Sequence, residues 1–345
     1  MIEGLEAAMH EMDLETKDLN HDEFGQQRLN KLVSAGLYWR YGETLPVQYS
    51  WHRYGIELGN AVKDSHLVRP HHPDELPSFT ANVGAAQERA REVEEYYHYF
   101  KTDFNLGEMD LKEAVLADFH DLLEAFYRRY ADEEYRALYL ANVKLQRWLS
   151  QDAGELDASA VDLDDCFVLA DIITELHGEL FGTPSLREPE SEFARYVETS
   201  QRFDNRYQNL KVITETAYDR AQRFTDLLED IYRQLAETPD DEITGNPASL
   251  IESLNVFYHE YVWKQVTEII SIKTAGGRDY REIWEGALEE LEWLDESFPD
   301  KMETHEEVAK EAGLVPSLHE SPFDDEEMET IEATEELASI YEAQE

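Results

Sequence analysis

No glycine or proline occurs between Pro189 and Pro239, and this absence restricts the fold more than any other feature of the chain. Both helix breakers are missing over a stretch far longer than the average globular helix. Within it the apolar positions alternate spacings of three and four: Phe193, Tyr196, Phe203, Tyr207, Leu210, Ala217, Ala221, Phe224, Leu228, Ile231 and Leu235, interrupted only by Ser200 and Thr214. A repeat near 3.5 residues is the seam of a coiled coil or of a long bundle helix. Read as one helix over 190–238, the stretch would span roughly 70 Å at 1.5 Å per residue. It is then either a core helix of the chain's own bundle or half of a homodimeric coiled coil. Bulky aromatics at seam positions favour the irregular bundle.

The remaining chain is read around that helix. Its 345 residues are length enough for two domains. From Asp22 to Tyr41 the pattern is helical, with Leu29, Leu32, Val33, Gly36 and Leu37 on one face, and Gly42 stops it. The alternation in TLPVQYSWH predicts a half-buried strand, with Leu45, Val47, Tyr49 and Trp51 on one side. A short helix through Ile56, Leu58 and Val62 follows, and His66–Val68 is a candidate strand partner. The run RPHHPDELP is a loop. Beyond it, helices are expected over 84–102, between Gly107 and Gly154, over 161–181, from the Asn246-Pro247 cap to Gly276-Gly277, and over 279–298. The fold class is mainly α. A small helix–strand–helix module occupies 1–76, and its first ~20 residues form a short helix or arm. A long-helix bundle occupies 80–315. An acidic C-terminal segment over 316–345 either docks on the bundle or stays free.

Hydrophobic residues make up 42% of the chain, enough for a real core. The net charge is -47, from 77 acidic residues against 30 basic ones, of which 19 are Arg and 11 are Lys. In dilute salt such a charge pushes the compact state apart. At molar ionic strength the Debye length falls to about 3 Å and the repulsion is screened. The acid is spread along the whole chain, and Lys is scarcer than Arg. This combination resembles the proteins of salt-in halophiles, chiefly halophilic archaea. A single cysteine, Cys166, precludes an internal disulfide. The N-terminus is acidic where a signal peptide is basic, and no apolar run approaches the ~18 residues of a membrane helix. A cytoplasmic protein with no membrane segment is the expectation.

No GxxxxGK[ST] loop, GxGxxG turn, GxSxG elbow, HExxH helix or CxxC pair is present, which argues against NTPases, dinucleotide enzymes, common hydrolases and zinc ribbons. Glu95/His98 is one Glu-x-x-His pair, and a di-metal bundle needs two. His52, His66, His71 and His72 form a loose cluster near the loop, where histidines are usually solvated. His177 and His259 sit among apolar helix residues, as core histidines do. Cys166 reads as a small buried apolar group. No metal, cofactor or catalytic residue is assigned on these grounds.

Residues 24–56 depart from the acidic background. They hold Arg28, Lys31, Arg40 and Arg53 against Glu43 alone, a net of +3, so the rest of the chain carries about -50. The same segment is rich in aromatics, including Trp39, Tyr41, Trp51 and Tyr54. An anionic protein that touches phosphates needs such a local patch, and its aromatics can stack on bases. The alternative is a buried module whose arginines pair with glutamates elsewhere. The run RLNKLVSAGLYWRYGETLPVQYSWHRYGIEL resembles the opening of winged-helix-like modules of the YwgA and SocA-antitoxin type. Leu29, Lys31, Leu32 and Val33 match the helix of that motif and Tyr54-Gly55 its turn, while Ile56 replaces its proline. The resemblance covers about 40 residues and implies a regulatory or adaptor module without catalytic residues. The leading expectation is therefore a non-enzymatic regulator that binds a protein partner or nucleic acid through Arg28, Lys31, Arg40, Arg53, Trp39, Tyr41, Trp51 and Tyr54. The alternatives are an enzyme with a scattered His/Glu site in the bundle, and a structural dimer through 190–238.

The charge alone generates a test. The melting temperature should rise steeply from low to molar KCl as self-repulsion is screened. A flat profile across that range would remove the salt argument.

Overall fold

The computed structural model describes residues 1–22, 24–42, 45, 49–58, 83–152, 161–188, 191–200, 202–238, 243, 246–275 and 280–315. The expectations for His66–Val68, for His71 and His72, and for 316–345 lie outside the described residues. The fold is mainly α.

The first residues are core. Helix α1 (Ile2–Glu11) buries Leu5, Ala8 and Met9 and packs on α4 (Val83–His98). Contact is so close at Gly4 that a Cβ would lie 2.8 Å from Tyr96 Cβ and from the Val93 carbonyl. A short α2 (Thr16–Leu19) with a capping box leads to α3 (Gly25–Tyr41), which ends at Gly42 with φ +63°. Every residue of α3 from Arg28 to Leu37 is buried. Helix α4 runs into a π turn (Tyr99–Asp103). Then come α5 (Leu111–Leu116), α6 (Phe119–Tyr130) and α7 (Glu133–Asp152). Helix α8 (Leu163–Gly182) starts on an Asp162 capping box and packs on α7.

The single long helix over 190–238 is not formed. The stretch divides into α9 (Ser191–Ser200), a 3-10 turn (Asn205–Gln208) and α10 (Leu210–Glu237). The cause is local. The Asp204 carboxylate accepts from Arg206 N at 2.9 Å, so a side chain competes for the backbone and starts a new turn. Tyr207 OH then donates to Asp295 Oδ2 at 2.7 Å and ties that turn to the far helix. The seam is nevertheless buried within this chain, at Phe193, Phe203, Tyr207, Leu210, Phe224, Leu228 and Leu235. Its polar interruption at Thr214 is satisfied by donation to the Leu186 and Leu210 carbonyls.

The cap at Asn246 starts α11 (Pro247–Phe257), with its side chain accepting from Ser249 N. That helix passes through a second π turn (Tyr258–Trp263) into α12 (Lys264–Thr274). Helix α13 (Tyr280–Glu311) continues past the expected end at 298 and carries Pro299 within it. Helix α12 lies in the middle, against α10, α13 and the first strand. Each residue from Gln265 to Ile272 is buried. Four of them are polar (Gln265, Thr267, Glu268 and Ser271), and burial obliges each to find a partner.

The sheet is a hairpin, β1 (Ser50–His52) antiparallel to β2 (Gly55–Glu57), with Trp51 opposite Ile56. Ile56 is thus in a strand, where a helix was expected. The two-residue turn Arg53-Tyr54 closes it because Gly55 takes φ +81°, and a Cβ there would stand 2.6 Å from Tyr127. One hydrophobic cluster runs from Leu5 through Trp51 and Ile56 to Leu314, so the N-terminal elements and the bundle share a core. Among the described residues no helix is long and apolar enough to cross a membrane.

Candidate functional site

A cleft of 470 Å³ opens where α3, the hairpin turn, α12 and α13 meet. The helical repeat sets its walls. Helix α3 turns Gln26, Gln27, Asn30 and Lys31 toward it. Helix α12 contributes Lys264 and Glu268, one turn apart. Helix α13 contributes Glu282, Gly286, Glu289 and Glu290, and the hairpin supplies His52 to Gly55.

The hairpin is held at this place by side chains of the helices. Trp51 N donates to Thr274 Oγ1 at 3.1 Å. Tyr139 OH donates to the His52 carbonyl at 2.9 Å, and Trp263 Nε1 to the Arg53 carbonyl at 2.9 Å. Asn30 Nδ2 and Lys31 Nζ both donate to the Ile56 carbonyl at 2.8 Å. The π turn before α12 supplies Trp263 and also Glu260, which pairs with Arg53. Insertions of this kind recur at functional sites.

The chemistry of the cleft is acid–base and polar. His52 Nε2 lies 2.5 Å from Ser50 Oγ and 3.4 Å from Ser271 Oγ. Its other nitrogen, Nδ1, faces Glu268 Oε1 at 3.8 Å. Glu268 is only 6% exposed. Two side-chain oxygens on the α3 wall, Gln27 Oε1 and Asn30 Oδ1, are buried with no hydrogen-bond partner. Lys264 is paired with Glu290. Behind the hairpin turn, burial and the neighbouring Arg53 charge push His259 down to about 3, so it is a neutral imidazole at ordinary pH.

Of the eight residues expected to meet a partner, two are freely exposed. Trp39 and Tyr41 are 44% and 42% exposed, with Trp39 stacked on Tyr99 at 4.5 Å. Trp51 is a core residue against Phe126, Tyr127 and Tyr139. Tyr54 is half-buried between Phe24 and Phe119. The four cations do not form an exposed face. Arg28 is fully buried, forked onto Asp22 at 2.8 and 2.9 Å and bonded to the Ala117 carbonyl at 3.0 Å. Lys31 is buried over the Phe126 ring. Arg40 lies on Glu95 at 2.7 Å and Glu92 at 3.5 Å, and Arg53 on Glu260. Helix α3 is covered on all sides through its middle, so the face that carries its cations points into protein.

Other candidates resolve similarly. Glu95 of the Glu95/His98 pair is bound by Arg40 and Arg91. Among the described residues no group of three or more His, Cys, Asp or Glu could hold a metal. Cys166 is half-buried where full burial was expected, and burial raises its thiol pKa. His177 is half-buried beside Thr225 Oγ1 at 3.1 Å, and burial lowers its pKa. The sequence reading missed Ser50, Glu268 and Ser271. Ser271 and Glu268 are three apart on one helix, a spacing visible in sequence, but nothing in that spacing points to a hairpin more than two hundred residues away.

The molecule is thus a mainly α, single-core protein whose polar cleft is built between an N-terminal helix–hairpin unit and a buried central helix. The chain belongs to the family DUF8098, a domain of unknown function, whose model matches residues 1–199 and 207–342. No curated protein and no solved structure matches the chain.

The burial of Arg28 makes a stability prediction. Partial burial is the largest influence and works against the Asp22 charge, but the Arg28 hydrogen bonds, the Phe24 N–H and the Arg28 charge together outweigh it and hold the carboxyl below its ordinary value. That contribution is present above the unfolded carboxylate pKa and is lost as pH falls through the folded one. Arg28→Ala should cost roughly 3 kcal/mol, the low end for breaking a buried pair because Asp22 keeps part of its hydration. Urea denaturation at neutral pH measures it; a change under about 0.5 kcal/mol would make Arg28 a surface cation after all.

Proposed function

We propose that this protein binds a small polar molecule in the cleft between α3, the hairpin, α12 and α13. The observation that carries the reading is the pair of orphan oxygens, Gln27 Oε1 and Asn30 Oδ1, on a wall of a cleft that also holds Lys31, His52 and Glu268. Buried acceptors without donors are costly, and a ligand bearing N–H or O–H groups would supply them. The volume of 470 Å³ lies within the range of small-molecule sites. Of the functions weighed from sequence, this is closest to the His/Glu site, moved from inside the bundle to its junction with the hairpin.

A macromolecular partner is a second reading, favoured by the exposure of Trp39 and Tyr41. It is the reading that the YwgA and SocA resemblance implies, and these two rings are its natural contact. Phosphate binding would fall to Arg40 and Arg53, both of which already face glutamates.

Gly286 allows a direct test. It lines the cleft, and a Cβ on it would meet nothing within 4 Å. Gly286→Trp should therefore fill the cleft without unfolding the chain, helped by about 0.5 kcal/mol of helix propensity. Native mass spectrometry of protein drawn from high-salt lysate should find a small molecule on the wild type and none on Gly286→Trp. Equal occupancy of both, or none on either, would count against the cleft.

A further inference from the structure

We propose that Ser50 is a nucleophile for acyl transfer, so that the molecule in the cleft is a small polar ester or amide. The inference rests on the cleft reading and deepens it. Ser50 and His52 stand two apart on β1, on the same face of the strand. Ser50 Oγ lies 2.5 Å from His52 Nε2, and Glu268 Oε1 lies 3.8 Å from Nδ1 on the opposite side of the ring. Hydroxyl, imidazole and carboxylate thus follow one another from two separate elements; His52 and Glu268 line the cleft, and Ser50 lies beside His52 below its surface. This is the relation of nucleophile, base and orienting acid that activates a serine, recognised by geometry and independent of chain order. The looser carboxylate contact is ordinary for a site without substrate.

Among the described residues, two other serines approach a histidine. Ser271 Oγ is 3.4 Å from the same Nε2, a long contact next to that of Ser50. Ser253 Oγ is 3.0 Å from His305 Nε2, but the other nitrogen of His305 lies on the Lys301 carbonyl of its own helix and meets no carboxylate. Among the described residues, all three roles coincide only at Ser50. The surroundings also suit acyl chemistry. Ser50 is 3% exposed and Glu268 6%, so the relay is shielded from bulk water, where its electrostatics would be weakened.

The reaction balances with water alone. Ser50 Oγ attacks the substrate carbonyl carbon as its proton passes to His52 Nε2. The tetrahedral intermediate collapses, the C–O or C–N bond breaks, and the leaving alcohol or amine takes the proton from Nε2. A water molecule, deprotonated by Nε2, then attacks the acyl-Ser50 ester. The carboxylic acid departs and the proton returns to Ser50 Oγ. Glu268 acts as a positioning residue that keeps Nδ1 protonated and Nε2 free to accept.

A fluorophosphonate probe tests the proposal on the full chain in molar KCl. Attack by Ser50 Oγ displaces fluoride and leaves a phosphonyl group whose mass is read on the intact protein and mapped by peptide digestion. One adduct, on Ser50, is expected. His52→Gln should slow its formation by roughly 10²-fold or more, the usual contribution of a general base. Glu268→Gln should slow it less and displace its pH profile, which a merely structural carboxylate would not do. Should His52→Gln fail to fold, the wild-type labelling rate still decides, since it must rise with pH along a single ionisation. No adduct on folded protein, a pH-independent rate, or an adduct at a serine other than Ser50 would overturn the proposal. If the wild type carries a small molecule that Gly286→Trp lacks and yet no adduct forms, the nucleophile falls while the cleft stands.

Discussion

The structure depends on how the backbone of one short hairpin is satisfied. Two strands of three residues are marginal alone, and their outer N–H and C=O groups are buried or partly buried here among helices. Unpaired, each would cost roughly 1–3 kcal/mol. The helices supply the missing partners from side chains: Thr274 for the Trp51 N–H, Tyr139 for the His52 carbonyl, Trp263 for Arg53, and Asn30 with Lys31 for Ile56. These donors and acceptors come from α3, α7, the second π turn and α12. The hairpin therefore joins segments far apart in sequence, and the position of His52 in the cleft follows from that joining.

The same demand explains why an anionic chain buries cations. Lys31 and Arg28 lose their hydration on α3, a loss that a charged group survives only when paired or fully hydrogen-bonded. Arg28 meets a carboxylate and a carbonyl, and Lys31 meets a carbonyl and the face of Phe126. The buried network of Arg220, Gln265 and Asp295 follows the same rule on the other side of α12, with contacts of 2.9 and 2.8 Å. Helix α12 is thus polar on two sides while buried from Gln265 to Ile272. One side meets Arg220 at a smaller cavity of 250 Å³, and the other opens on the cleft at the hairpin.

Much of the fold was legible in the sequence. Helices α3 and α11 end and begin at residues that the sequence marks, Gly42 and Asn246. The seam from Phe193 to Leu235 was read correctly as buried, but its continuity was not. Spacing reports which face an apolar residue takes and is silent about a carboxylate such as Asp204 that captures the backbone between two helical segments. The site was less legible. The cations of residues 24–56 drew notice because charge usually signals solvent, yet several of their partners lie far along the chain at Glu95, Ala117 and Glu260. Trp39 and Tyr41 are exposed as a contact surface requires. Glu268 and Ser271 carried no signal, since a polar residue on a helix normally marks its wet face and α12 has none.

Hydrogen exchange in the native state measures the joining of hairpin and helix most directly. The amides of Ser50–Glu57 should exchange with the same protection as those of α12, because neither can open while the other stays closed. Trp263→Phe keeps an aromatic ring, though a smaller one, and removes the N–H that holds the Arg53 carbonyl, and it should lower the protection of both segments together. A hairpin that exchanges far faster than α12, and that is indifferent to Trp263→Phe, would contradict the account.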